Sequence, residues 1–304
     1  MSTQNLQDRT TFPILHVYDT FDFFVARYLP TQLNRRVAKD NAFIRSTMTD
    51  IIDRHHKVAD TSGTETGPGE KNRKDLLDLM IQASDEFHRS GGSNSEMSNK
   101  QLMDECLTFL IAGHETIAIL LVWTTYFLAK HPEWQDKART EVLDVCGSSA
   151  PSQYEELANL KIVGMVMNES LRMYPPSSSL SRECVVPNRI GDIDVPVGVD
   201  VTVPTVLVHR NEELWGKDAH LFKPERFEDG VASASKHPMA FLPFAAGPRS
   251  CLGMTFATTE VKFILAVMLR KYSWKLAPEY IHYPELSLTQ IKPKYGLSVQ
   301  FQRI

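Results

Sequence analysis

Apolar and polar positions along the chain lay out a mainly helical order of elements. Residues 14–30 are apolar and aromatic (Ile14, Leu15, Val17, Tyr18, Phe21, Phe23, Phe24, Val25, Tyr28, Leu29) and stop at Pro30. Over residues 33–58 a charged run carries Val37, Phe43, Ile44, Met48, Ile51 and Ile52, spaced by threes, fours and singles as in an amphipathic helix. Residues 61–70, rich in Gly, Ser, Thr and Pro, read as a solvated loop. Leu76, Leu77, Leu79, Met80 and Ile81 start a short helix, and residues 90–95 form a second connector. Ser98-x-x-Gln101 is a capping box for a long helix running to about Lys130. Within it the 23 residues 107–129 hold only two strongly polar side chains, His114 and Glu115. That length permits a membrane span. An imidazole and a carboxylate at its middle, without basic asymmetry at its flanks, favour a buried central helix instead.

Pro132 occupies the first position of a further helix over residues 132–145, and two more follow at 154–160 and 161–173, ending before Pro175-Pro176. Then the texture changes. Residues 181–208 are β-branched with Pro and Gly punctuation and predict short strands and turns. A Pro-rich meander leads to Pro243, a helix is expected over 252–271, and residues 286–288 and 297–301, around Pro293 and Gly296, read as a hairpin. The fold class is mainly α with small β-sheets, and no internal repeat is visible.

Composition narrows the choices. The 304 residues carry 33 Lys+Arg against 37 Asp+Glu, a net charge of −4, which argues against nucleic acid as a main partner. Apolar residues at 42% and charged residues at 23% are ordinary globular usage, and the length allows one large domain or two small ones. Cys106, Cys146, Cys184 and Cys251 contain no C-x-x-C, so neither a disulfide framework nor a structural zinc site is expected. His114 has no histidine one turn on, which removes it as a zinc ligand. The first nine residues show no apolar core and no basic cluster, so no signal peptide or anchor is visible there.

The most informative stretch is Phe244-x-x-Gly247-x-Arg249-x-Cys251-x-Gly253. A cysteine just before a helix N-terminus sits where backbone N–H groups and the helix dipole favour the thiolate. Gly247 permits a tight turn under a flat ligand, Gly253 permits close approach of backbone to sulfur, and Arg249 suits a carboxylate of that ligand. A structural cysteine beside a turn is the plain alternative for Cys251 alone. On the central helix Ala112, Gly113 and Thr116 share one face, with room for a small ligand or water, and Thr116 can bond a carbonyl one turn back. Tight helix packing is the competing reading there. Glu169 and Arg172 are one helical turn apart. Alone they would make a surface ion pair worth under about 1 kcal/mol.

The Cys251 loop resembles the haem-ligand signature of the cytochrome P450 family, in which the cysteine thiolate is the axial ligand of haem iron. Three further signatures follow the family's order. Ala112-Gly113-His114-Glu115-Thr116 resembles its oxygen-activation motif, Glu169-x-x-Arg172 its helical ion pair, and Pro224-Glu225-Arg226-Phe227 the loop whose arginine completes that pair. Tyr28-Leu29-Pro30-Thr31-x-x-Asn34-Arg35-Arg36, His131-Pro132-Glu133-Trp134-Gln135 and Leu214-Trp215-Gly216 are similar to the plant microsomal clan acting on steroid, gibberellin, terpenoid and fatty-acid-type substrates.

The resemblance implies that residues 1–304 are the C-terminal part of a cytochrome P450 domain: long central helix, ion-pair helix, meander, Cys loop, C-terminal helix and hairpin. Anchor, N-terminal sheet and early helices are expected to be absent. It implies heme b held by Cys251, with Phe244, Gly247, Gly253, Ala112 and Gly113 lining it and Arg182 and Arg249 on its propionates. Glu115 and Thr116 become the proton-handling pair, Glu169, Arg172 and Arg226 a structural network, and Phe109, Leu110, Ser179 and Leu180 the substrate-facing candidates. Lone His209 reads as a packed or surface residue rather than a haem contact. The implied activity is haem-dependent monooxygenation of a small hydrophobic substrate, using O2 and electrons from NADPH through NADPH–cytochrome P450 reductase. Endoplasmic reticulum membrane is the implied location. The alternative is a truncated, non-catalytic haem-binding fragment.

Overall fold

One buried apolar residue from each of three helices, Ile52, Ile81 and Leu102, organises the N-terminal part of the chain. The computed structural model describes residues 31–61, 75–89, 99–147, 150–287 and 289–304, in two units, 1–112 and 113–304. The first unit contains α1 (Gln32–Thr61), α2 (Leu76–Arg89) and the start of α3 (Asn99–Lys130). Met48, Leu77, Met80, Met103 and Cys106 pack around the three buried residues. Asp75 and Asp78 close the start of α2, each side chain accepting the other's backbone N–H, at 2.8 and 3.0 Å. Residues 1–30, including the aromatic run, and Ser98 of the capping box lie outside the described residues.

In the second unit the core forms where α3, α4 (Pro132–Cys146), α6 (Lys161–Met173) and α9 (Met254–Lys271) turn apolar faces to one another. On α9 the buried set is Val261, Leu265, Ala266 and Leu269, the four-residue rhythm of one helical face. α3 is buried from Ile117 onward (Leu120, Trp123, Phe127, Leu128), whereas Phe109, Leu110 and Ile111 are exposed. The expected buried central helix is thus buried over its C-terminal half. Gln135, fully enclosed on α4, donates to the carbonyls of Leu128 and Trp274 and accepts the Trp274 N–H at 3.0 Å. One amide therefore ties α3, α4 and a strand together. α5 (Tyr154–Ala158) is a short bridge before α6.

Among the described residues the sheets are four antiparallel pairs: β1 (Leu180–Glu183) with β4 (Asp200–Val203), β2 (Asn188–Ile190) with β3 (Ile193–Val195), β5 (Tyr272–Leu276) with β8 (Val299–Arg303), and β6 (Pro284–Ser287) with β7 (Gln290–Pro293). Two expectations are corrected. The expected hairpin between residues 286–288 and 297–301 does not form, because Ser287 pairs with Gln290 and Val299 pairs back to Leu276. Pairing β6 with its immediate successor closes the shortest loop, and β8 gains the buried Trp274 beside Phe301, rings 5.7 Å apart. Residues 205–208, inside the stretch expected to hold short strands and turns, form instead the helical turn α7 (Thr205–Val208), followed by α8 (Glu212–Trp215). Pro204 caps the turn, its carbonyl accepting the Val208 N–H at 3.1 Å, and burial of Thr205 outweighs the β propensity of this run.

Candidate functional site

The loop ahead of α9 is folded by its own backbone. The Cys251 N–H donates to the Phe244 carbonyl at 2.8 Å; inside that closure the Ser250 N–H donates to the Gly247 carbonyl at 3.0 Å, and at its entry the Ala245 N–H donates to the Leu242 carbonyl at 3.2 Å. Two residues turn left-handed, Gly247 at φ 75° and Ala245 at φ 58°. The second is a conformation an alanine adopts only where its surroundings over-determine it. Phe244 is half-buried against the core, anchoring one side, while Gly247, Arg249 and Cys251 are exposed. Gly253 caps α9, and a Cβ built on it would lie 3.9 Å from Cys251 Sγ. The loop thus holds a cysteine outward beside a helix start.

On α3, Gly113, Glu115 and Thr116 are half-buried and Ala112 exposed. A Cβ on Gly113 would meet nothing within 4 Å. The Thr116 hydroxyl donates to the Gly113 carbonyl at 3.4 Å, a long bond one turn back. Glu115 is paired with Lys292 of β7, and Gln290 also bonds its carboxyl. Lys292 is the main reason the Glu115 pKa lies below the ordinary carboxylate value.

The densest polar cluster is buried. Arg172 grips Glu169 with two hydrogen bonds of 2.7 Å, both side chains wholly enclosed. Its remaining donors reach the carbonyls of His209 at 2.8 Å, Ala219 at 2.7 Å and Leu221 at 2.9 Å. Arg226, on the turn Pro224–Phe227, lies 3.6 Å from Glu169 and bonds the Trp215 and Asp218 carbonyls and the Asp218 carboxylate, the last at 2.7 Å. Burial pushes the Glu169 pKa up, opposed by the Arg172 guanidinium and the Lys223 N–H. Lys223 and Arg226 hold Asp218 down to about 2.

Of the sequence-selected residues, the structure gathers Glu169, Arg172 and Arg226 into one network, and Phe244, Gly247, Arg249, Cys251 and Gly253 into one loop. Arg182 is exposed on β1, its guanidinium on the Ser181 carbonyl at 2.8 Å, and Ser179 and Leu180 are half-buried at the strand's start. Phe109 and Leu110 are exposed on α3. Lys292, Gln290 and Asp218 were missed. Glu115 and Lys292 are 177 positions apart. No local pattern signals such a pairing. Asp218, eight positions before Arg226, carries only the ordinary look of a loop acid.

These groups suit a haem. An exposed thiol at a helix start offers a thiolate ligand, Gly253 lets backbone approach its sulfur, Gly113 and Gly247 leave open space where a side chain would stand, and the exposed Arg182 and Arg249 suit propionates. Comparison with known proteins agrees. The sequence profile of cytochrome P450 matches residues 3–299. The chain therefore belongs to the cytochrome P450 family.

Particular relatives sharpen that placement. The chain is 39% identical to echinocystic acid 23-monooxygenase of Saponaria officinalis, over 91% of this chain and 52% of that protein. It is 38% identical to secologanin synthase 1 of Catharanthus roseus, over 91% and 52%, and 38% identical to a cytokinin hydroxylase of Arabidopsis thaliana, over 90% and 51%. It spans about half the length of these relatives. A crystal structure of a cytochrome P450 (CYP102L1) superposes with a TM-score of 0.76 at 28% identity, covering 91% of this chain and 59% of that one.

Proposed function

We propose that this chain carries the haem-thiolate half of a monooxygenase, residues 1–304 being the C-terminal part of a cytochrome P450 domain. Its reaction inserts one oxygen atom of O2 into a C–H bond of a small hydrophobic substrate and reduces the other to water with two electrons from NADPH. The observation that carries the reading is the loop fold that presents Cys251 outward at the start of α9. Bound heme b supplies the iron at which dioxygen is reduced.

The chain's own residues supply the rest. Cys251, presented outward just before α9, gives the sulfur ligand. Phe244, Gly247, Gly253, Ala112 and Gly113 line the flat ligand, and Arg182 and Arg249 bind its carboxylates. Thr116 loosens the helix ladder at Gly113 and orders water, and Glu115 accepts and returns the proton, its charge held by Lys292 between turnovers. Glu169, Arg172 and Arg226 keep the loop in register. Phe109, Leu110, Ser179 and Leu180 face the substrate. The electron donor is a flavoprotein, NADPH–cytochrome P450 reductase, at the endoplasmic reticulum membrane.

The test is spectroscopic. With haem added, the reduced chain under carbon monoxide should give the strongly red-shifted Soret band of thiolate ligation, and Cys251→Ala should abolish it. A band typical of histidine-ligated or free haem in the unaltered chain overturns the reading. A thiolate band without NADPH-dependent turnover in the presence of reductase leaves a haem-binding fragment.

A further inference from the structure

His209 is fully buried, and both its backbone and its ring are in use. Its carbonyl accepts Nη1 of Arg172 at 2.8 Å. Its ring Nε2 accepts the backbone N–H of Leu242 at 2.8 Å. Leu242 in turn accepts the N–H of Ala245, the left-handed alanine, and Phe244, two residues on, accepts the N–H of Cys251. A continuous hydrogen-bonded path therefore runs from the buried Glu169–Arg172 pair through one histidine to the segment that shapes the cysteine loop.

The ring has one chemical state that fits. An amide N–H can bond Nε2 only if that nitrogen keeps its lone pair, so the imidazole is neutral with its proton on Nδ1. Burial and the neighbouring Arg172 cation hold it neutral. Phe241 stacks on the ring at 5.5 Å and Trp215 meets it edge-on at 6.2 Å, fixing its plane. The buried Nδ1 faces the backbone of Leu171 and Arg172, which interact with its proton at less than ideal hydrogen-bond geometry. A phenyl group in its place would keep the ring stack but leave the Leu242 N–H without this acceptor.

We infer that His209 is a positioning residue of the cysteine loop, coupling the Glu169–Arg172–Arg226 network to the Leu242 amide and so to the orientation of Cys251. The inference rests on the haem-thiolate reading, but its first readout needs no haem. In the haem-free chain, amide hydrogen exchange at Leu242 should accelerate roughly tenfold or more in His209→Phe, which keeps the ring stack and removes the acceptor. His209→Gln, whose side-chain oxygen reaches the same N–H, should restore slow exchange. With haem and carbon monoxide, His209→Phe should lose part of the thiolate band to a blue-shifted one, and His209→Gln should recover it.

Unchanged Leu242 exchange in His209→Phe, or equal spectra for the phenylalanine and glutamine variants, overturns the inference. If His209→Phe does not fold, His209→Asn replaces it. Its amide is too short to reach Leu242, so equal behaviour of the asparagine and glutamine variants is the overturning result. Absence of a thiolate band in the unaltered chain, with the exchange pattern as expected, removes the haem reading and leaves the coupling standing.

Discussion

Glu115 shows how one distant partner changes what a side chain does. On the helix pattern alone it is an acid in an apolar stretch, free to carry a proton. Held by Lys292, it is a carboxylate that must break an ion pair before it takes a proton up. Lys292→Met should therefore raise the Glu115 pKa toward the ordinary carboxylate range, read by infrared or NMR titration of the carboxyl. On the proposed function, Thr116→Ala should leave the carbon monoxide band intact while uncoupling oxygen consumption from product, since the role proposed for the hydroxyl is to order water rather than to hold haem. Cys251 is the opposite case. The loop around it was legible because four residue types at fixed offsets encode it, and its innermost hydrogen bonds are local. Lys292 was not legible, because only the path of the chain through β6 and β7 brings it to α3.

Among the elements, α6 carries the heaviest electrostatic load. Arg172 and Glu169 are enclosed, and four of the groups bonded to them are backbone atoms of the segment between α7 and the turn at Pro224–Phe227. The isolated ion pair would be worth little, but removing one member here strands a buried charge. Arg172→Ala should cost on the order of 3–5 kcal/mol, measured as a fall in the urea midpoint with unchanged slope. On α9, Leu265→Ala should cost about 2–5 kcal/mol by opening a cavity at a fully buried site. Helix positions were read from periodicity to within a few residues, because an amphipathic repeat is a local signal. The strand partners were not, since β8 pairs across to β5 for the sake of Trp274, and α7 is helical against its own propensity.

For the molecule as a whole, the buried network sets a pH dependence. His209 has a folded pKa of about 4 against 6.5 for an exposed histidine. A depressed folded value means the unfolded chain binds the proton first. The contribution is complete above pH 6.5 and is lost as pH falls toward 4, by about 3 kcal/mol for a shift of this size. Asp218, lowered to about 2, should add a second loss below its ordinary value of 3.8. Urea unfolding between pH 7 and pH 4 should show the first decline, and His209→Gln should flatten it.

What the amino-acid order alone determined was the helical class, the cysteine loop and the family those residues resemble. Each depends on neighbours within about two helical turns, where spacing translates directly into geometry. Tertiary structure alone decided the partner of Glu115, the pairing of β5 with β8, and the burial that turns a pair one turn apart into an enclosed network through His209. Each of those depends on which distant backbone atoms burial brings within hydrogen-bond reach, and no local pattern records that.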